Sequence, residues 1–177
     1  QFLDQCADKK LVPIINLNFG RSIWDLNKRP DLWKAKYTYA GWQRLARLTT
    51  EIICNNYNFS EQYLAVFNEP CKWLDRHEIG LYIRATSQGI GSMRTKLHII
   101  AGNEEFDLAM AKGDMYNYIG IHFRPDFDYF GVHPLSSVVG GGMWKIKSWK
   151  DTANNFGKPI MATEAGSWDI KYTSEAG

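Results

Sequence analysis

The sequence predicts an α/β protein built on a parallel sheet, either open or closed into a barrel. Short apolar runs of strand length alternate along the chain with longer segments whose apolar residues recur every three or four positions. The run at 63–67 is apolar at consecutive positions, which is typical of a strand covered on both faces. With 177 residues, 45% of them hydrophobic, the chain is long enough for one domain with a large core.

The predicted elements alternate along the whole chain. The longest helix is indicated by Trp42, Leu45, Leu48 and Ile52, which follow one another at spacings of three and four. Strands are predicted at 11–18, 63–67, 97–101, 118–122 and 159–163. Helices are predicted at 2–10, 30–56, 79–93, 107–112 and 143–156.

Composition argues against several classes of protein. The net charge is +2 and no block of Lys or Arg stands out, so nucleic acid is not an expected partner. No apolar run reaches the length of a membrane span, so no membrane partner is expected either. The three cysteines are widely spaced and odd in number, which fits neither a full disulfide framework nor a zinc pattern. We therefore expect no metal and no cofactor.

Two glutamates follow predicted strands. Asn68-Glu69-Pro70 comes directly after the run at 63–67, and Glu164 follows the run at 159–163, 95 residues later. A barrel of eight βα units uses roughly 31 residues per unit, so the two glutamates fit strands three apart in a (β/α)8 barrel. The carboxyl ends of all strands of such a barrel lie on one face, where the active site is found. For Glu69, stabilisation of a following helix is the alternative interpretation, because acids are favourable in a first helical turn.

Two carboxylates facing each other across a barrel mouth suit glycoside hydrolysis. One carboxyl group donates a proton to the leaving glycosidic oxygen, and the other attacks the anomeric carbon. Neighbouring acids also push each other's pKa values apart, which separates the two roles.

The pair Asn68-Glu69 with Ala162-Thr163-Glu164 resembles clan A of the retaining glycoside hydrolases, most closely family 5, the cellulase and mannanase group. The resemblance covers nearly the whole chain, as strands three to seven of the barrel. It implies that Glu69 is the acid/base, that Glu164 is the nucleophile, and that Asn68 binds the 2-hydroxyl of the sugar.

The same resemblance indicates further substrate-binding residues, with some departures from the family pattern. His122 would end strand six, where the family often has a histidine. Arg124 stands where the family often has a tyrosine that bonds to the nucleophile, and Asn18 stands where strand three usually ends in a histidine. Asn103 and Glu104 would end strand five and face the same mouth, although a loop acid is often only solvated.

Aromatic residues make up 14% of the chain, and some of these rings are expected to line a sugar-binding cleft. Trp168 and Trp73 each follow a predicted catalytic glutamate by four residues, and Trp144 follows a run of three glycines. The alternative for each is a packed helix residue.

The chain is too short for a full barrel, since 177 residues hold five to six units of about 31 residues. We therefore expect 1–177 to be a single barrel domain lacking strands one, two and eight, completed by a second chain or a further segment. The expected function is retaining hydrolysis of a β-linked oligo- or polysaccharide, with extracellular or secreted location inferred from that substrate. Two alternatives are an inactive carbohydrate-binding or structural relative and an unrelated, metal-dependent barrel enzyme using His122, His133 and a carboxylate.

Overall fold

The structure is a computed structural model that describes residues 2–17, 38–134 and 142–163, with the backbone alone at 142–144. Its strands are β1 (Ile14–Asn16), β2 (Tyr63–Ala65), β3 (His98–Glu104), β4 (Tyr129–Val132) and β5 (Ile160–Ala162). Its helices are α1 (Phe2–Asp8), α2 (Tyr39–Asn56), α3 (Arg76–Ile90), α4 (Phe106–Ala111), α5 (Met115–Phe123) and α6 (Gly142–Phe156). Short 3-10 turns lie at Pro70–Lys72, Gly91–Thr95 and Arg124–Asp126.

The five described strands form one sheet in which all neighbours are parallel. Their spatial order is β1-β2-β3-β4-β5, the same as their order along the chain. Parallel crossovers are almost always right-handed, so a sheet that grows in one direction carries its connecting helices on one face. A doubly wound sheet, in which the direction reverses and helices cover both faces, is therefore not the arrangement of this part of the chain.

The side chains of the strands confirm that the two faces differ. Alternate strand residues pack into the large core together with residues of α2, α3, α5 and α6. The strand residues in this core are Leu64, Ile99, Ala101, Phe130 and Val132. The intervening residues form a separate small cluster to which no described helix contributes: Tyr63, Ala65, Ile100, Tyr129 and Met161. We call this second side the helix-free face of the sheet.

Local signals explain where the helices begin and how closely they pack. Asp75 forms a capping box at the start of α3, accepting the N–H groups of His77 and Glu78 at 2.8 Å. Gly89 lets α3 approach α2, because a Cβ there would lie 2.2 Å from the carbonyl oxygen of Gln43. Both helices contact the segment that leads to Glu69, because the rings of Trp42 in α2 and Tyr82 in α3 pack against the ring of Phe67.

The predicted strand at 118–122 is wrong, because these residues belong to helix α5. Asp114 caps that helix by accepting the N–H of Asn117 at 3.2 Å. Ile119 is fully buried while Ile121 is 59% exposed, and the buried positions of α5 follow the helical period. The fourth strand lies later, at Tyr129–Val132, where an aromatic run enters the sheet. The other four predicted strands overlap β1, β2, β3 and β5.

The remaining helix predictions agree with the structure apart from their ends. The helix predicted at 30–56 is described from Tyr39 onward, since 18–37 lie outside the described residues. Within the described ranges, none of the helices is both long enough and apolar enough to cross a lipid bilayer.

Candidate active site

The carboxyl ends of the strands lie together at one edge of the sheet, which we call the carboxyl edge. Backbone hydrogen bonds continue the strand ladder past the strands themselves: Leu17 N–H to Ala65 O, Val66 N–H to Ile100 O, His133 N–H to Glu104 O and Thr163 N–H to Val132 O, at 3.0 to 3.2 Å. The residues that follow the strands are thereby held side by side. Thr163, the last described residue before Glu164, is one of them.

Glu69 lies at this edge in a strained backbone conformation. Its φ is 48° and its ψ is 54°, in the left-handed region that non-glycine residues seldom adopt. Such a conformation costs of order 1–3 kcal/mol and persists where the surroundings impose it. Here the Glu69 N–H donates to the Asn103 carbonyl oxygen at 2.9 Å, and Pro70 directly starts a 3-10 turn. The backbone of Glu69 is thus fixed from both sides.

The Glu69 side chain is 16% exposed and forms an ion pair with the ammonium group of Lys72. Partial burial alone would lower the pKa of Lys72, but its hydrogen bond to Glu69 and the charges of Glu69, Glu104 and Glu105 raise it above the usual value. Lys72 therefore stays charged and offsets the negative charge of Glu69.

Asn103 occupies a β-bulge at the end of β3. Gly102 pairs with Gly131 and Glu104 pairs with Val132, so Asn103 is the extra residue without a partner across the ladder. The φ angles of Gly102 and Asn103 are 98° and 52°, values that glycine and asparagine tolerate best. The bulge places the Asn103 side chain against Gly131, where a Cβ would lie 1.9 Å from the Asn103 Oδ1. Asn103 is 1% exposed.

The amide of Asn103 connects the two segments that lead to the predicted catalytic glutamates. Its Nδ2 donates to the Phe67 carbonyl oxygen at 2.7 Å, and its Oδ1 accepts the Thr163 hydroxyl at 2.9 Å. Sequence reasoning expected Asn103 to contact substrate, whereas the structure commits its side chain to these two protein partners.

Glu104 is turned by the bulge to the helix-covered side and is fully buried. Its carboxylate accepts the N–H of Cys71 at 2.7 Å and that of Glu105 at 2.9 Å. Burial raises the pKa of Glu104 to about 7, although the two N–H donors work in the opposite direction. Because Cys71 comes two residues after Glu69, this buried acid holds the turn that follows Glu69.

Tyr116 and His133 contribute to the edge but were not assigned there from the sequence. The Tyr116 hydroxyl lies 2.9 Å from the Glu104 carbonyl oxygen and 2.7 Å from that of Gly131, and the Glu104 N–H donates to it at 3.1 Å. His133 is 2% exposed and follows β4 directly. Strand alternation puts it on the same side as Tyr129 and Gly131. The three aromatic residues within 127–130 could have indicated this strand from the sequence.

The structure does not bring His122 and Arg124 to the carboxyl edge. His122 is an exposed residue of helix α5, and its carbonyl oxygen accepts a hydrogen bond from Arg84 at 3.1 Å. Arg124 lies near Gly157, just before β5, and therefore at the amino ends of the strands. Both positions depended on the predicted strand at 118–122, which is a helix.

The other predicted site residues divide into two groups. Asn68 and Trp73 are half-buried near Glu69, and Trp73 packs against the main core. Asn18, Glu164 and Trp168 lie outside the described residues, as does the side chain of Trp144, whose backbone belongs to α6.

A metal centre using His122 and His133 is not supported by the structure. The two histidines lie toward opposite ends of the strands, one on α5 and one after β4. Among residues 2–17, 38–134 and 142–163, no group of three His, Cys, Asp or Glu side chains could hold a metal ion.

Comparison with known proteins gives no match: neither a family model, nor a curated protein, nor a solved structure is similar to this chain. The fold and the carboxyl edge are therefore the basis for any functional argument.

Proposed function

We propose that this chain is a retaining glycoside hydrolase that acts on a β-linked oligo- or polysaccharide, with Glu69 as acid/base and Glu164 as nucleophile. One observation carries the proposal. Glu69 lies at the carboxyl end of β2, Thr163 lies at the carboxyl end of β5 and directly precedes Glu164 in the sequence, and Asn103 is hydrogen-bonded to both segments. Active sites of parallel α/β proteins lie at this end of the strands.

The proposed architecture is part of a (β/α)8 barrel. Sequential parallel strands with helices on one face are what such a barrel requires, since the other face becomes its interior. The helix-free face would then be the interior, filled by Tyr63, Ala65, Ile100, Tyr129 and Met161. In this arrangement β2 and β5 are separated by two strands, so residues at their ends face each other across the mouth.

The proposed reaction has two displacements. In the first, protonated Glu69 gives its proton to the glycosidic oxygen as that bond breaks, while the Glu164 carboxylate bonds to the anomeric carbon. In the second, Glu69 takes a proton from water, whose oxygen replaces Glu164 on the anomeric carbon and restores the configuration. In this structure the ammonium group of Lys72 is paired with a carboxylate oxygen of Glu69. Substrate binding therefore has to separate that ion pair before Glu69 can act as an acid.

The same ion pair favours a second candidate, a carbohydrate-binding relative without catalysis. A carboxylate held by Lys72 is a good acceptor for sugar hydroxyl groups and does not need to carry a proton. This candidate predicts that oligosaccharides bind with measurable heat by calorimetry and that no reducing ends are released.

The decisive experiment measures reducing ends released from β-glucan, β-mannan and xylan by the parent chain and by Glu69→Gln and Glu164→Gln. The control is Glu51→Gln, an identical chemical change on the exposed side of α2. We expect activity in the parent and in the control, and loss in the two site variants. Full activity in both site variants would refute the proposal.

An aryl glycoside with an activated leaving group separates the two roles. Such a leaving group departs without protonation, so Glu69→Gln should still form the glycosyl-enzyme, and its slow hydrolysis should appear as a burst of released phenol. Glu164→Gln should show no burst, because no covalent intermediate can form. Identical time courses for the two variants would contradict the assignment of roles.

A further inference from the structure

We propose that Asn103 is a positioning residue that holds the segment bearing Glu69 against the carboxyl end of β5, the strand that leads into Glu164. This inference rests on the proposed function, because it concerns the alignment of the two proposed catalytic glutamates. Asn103 itself is buried and is assigned no contact with substrate.

On the β2 side, Asn103 fixes the chain around Glu69 by two separate groups. Its side-chain Nδ2 donates to Phe67 O at 2.7 Å, and its backbone carbonyl oxygen accepts the Glu69 N–H at 2.9 Å. The two bonds flank Asn68. They hold the backbone of Glu69 in the left-handed conformation, which is unfavourable for a non-glycine residue unless its surroundings impose it.

On the β5 side, the contact is a single hydrogen bond between side chains. Thr163 donates its hydroxyl to Asn103 Oδ1 at 2.9 Å, while its own backbone N–H is bonded to Val132. Asn103 belongs to β3, and β4 lies between β3 and β5. The Asn103 side chain therefore spans β4 and connects the end of β5 to the segment after β2. The connection is made by the hydrogen bonds of its amide and not by the backbone hydrogen bonds between strands.

Asparagine suits this position for two reasons. It has a donor group, the NH2, and an acceptor, the carbonyl oxygen, on the same short side chain, whereas aspartate could not donate to Phe67 O and alanine could make neither bond. It also tolerates the positive φ of 52° that the bulge requires. The absence of a Cβ on Gly131 provides the space into which the amide turns.

The expected consequence is a catalytic effect without loss of binding. A retaining mechanism needs its two carboxyl groups about 5–5.5 Å apart, and a misplacement of about 1 Å can cost around 10²-fold in rate. Asn103→Ala should therefore lower kcat by roughly 10²-fold on an aryl glycoside while KM changes less than about threefold. Thr163→Val, which removes only the β5 bond, should lower kcat by about tenfold.

The matched control is Thr86→Val, the same substitution at a fully buried threonine that accepts the indole N–H of Trp42 at 3.0 Å in the helix layer. It should lower the melting temperature but leave kcat within about twofold of the parent. The double variant Asn103→Ala with Thr163→Val should be no slower than Asn103→Ala alone, because both changes remove the same link. A purely structural role would instead make kcat follow the melting temperature in all variants.

Hydrogen exchange gives a readout that does not need activity. Asn103→Ala should speed amide exchange in both residues 64–70 and residues 158–163, and Thr86→Val should speed it in neither. If the parent hydrolyses no glycoside, the proposed function fails, and exchange alone decides whether Asn103 joins the two segments. Unchanged exchange in both segments, or an unchanged kcat in active Asn103→Ala, would overturn the inference. Should Asn103→Ala fail to fold, Thr163→Val carries the same test.

Discussion

The fully buried Glu104 makes the stability of this protein depend on pH in an unusual direction. Its pKa rises from the ordinary value of 4.5 to about 7 on folding, chiefly because burial disfavours the charged form. An acid with a raised pKa binds its proton more tightly in the folded state, so its contribution to stability is complete below pH 4.5. That contribution is lost as the pH rises through 7.

The magnitude follows from the two pKa values. A difference between 4.5 and about 7 corresponds to about 3 kcal/mol of unfolding free energy between pH 4 and pH 8. Glu104→Gln removes this titration, but its amide has only one acceptor for the N–H groups of Cys71 and Glu105. The variant should therefore be less stable than the parent at pH 4, by about 1–3 kcal/mol for one unsatisfied buried donor.

Urea denaturation of both proteins at pH 4 and pH 8 tests this reasoning. The stability of the parent relative to Glu104→Gln should fall by about 3 kcal/mol over that range, so the gap between them closes or reverses at pH 8. Parallel pH dependences would refute it, because they would show that Glu104 ionises equally easily in the folded and unfolded chains.

Three further predictions concern the edge and its supports. Gly131→Ala should lower the free energy of unfolding in urea by more than about 2 kcal/mol, because the new Cβ would lie 1.9 Å from Asn103 Oδ1. A decrease below about 0.5 kcal/mol would contradict this close packing. Asp75→Ala should cost about 1 kcal/mol in the same assay by removing the capping box of α3, and an unchanged midpoint would speak against that cap. In a thiol-labelling time course, the half-buried Cys54 should react before Cys71, which is 1% exposed and has a pKa raised by burial; equal rates would show that Cys71 is accessible.

The parallel sheet could be predicted from the sequence because four of its strands are short apolar runs bounded by turn residues. The remaining strand, β4 at Tyr129–Val132, could not be placed by the same rule. Residues 118–122 contain two isoleucines and a tyrosine, which favour a strand locally, but α5 buries Ile119 and exposes Ile121. Tertiary packing decided the outcome: Gly120 fits under the ring of Phe156, where a Cβ would lie 2.4 Å from it.

The candidate site was predictable only as far as strand ends can be recognised. Asn68 and Glu69 follow a clear apolar run, so their position at the carboxyl edge could be expected. Asn103 and Glu104 also end a strand, but the bulge shifts the alternation of faces by one residue, so that Glu104 lies on the side of Val132 and Asn103 on the side of Gly131. One extra residue in a ladder leaves little trace in a single sequence. Gly102-Asn103, a pair that tolerates positive φ, was the one local hint.

The sequential order of the strands also bears on how the chain folds. Paired residues of neighbouring strands are between 28 and 49 positions apart along the chain, so in the described sheet each pairing closes a loop of moderate length. The β3–β4 and β4–β5 pairings close the shortest loops, at 28 to 30 positions, and the pairing that adds β1 closes the longest, which favours a nucleus of β3, β4 and β5 that grows toward β1. The bulge carrying Asn103 lies inside that nucleus, so this residue of the carboxyl edge would be in place before β2, one of the two strands that it joins, is added.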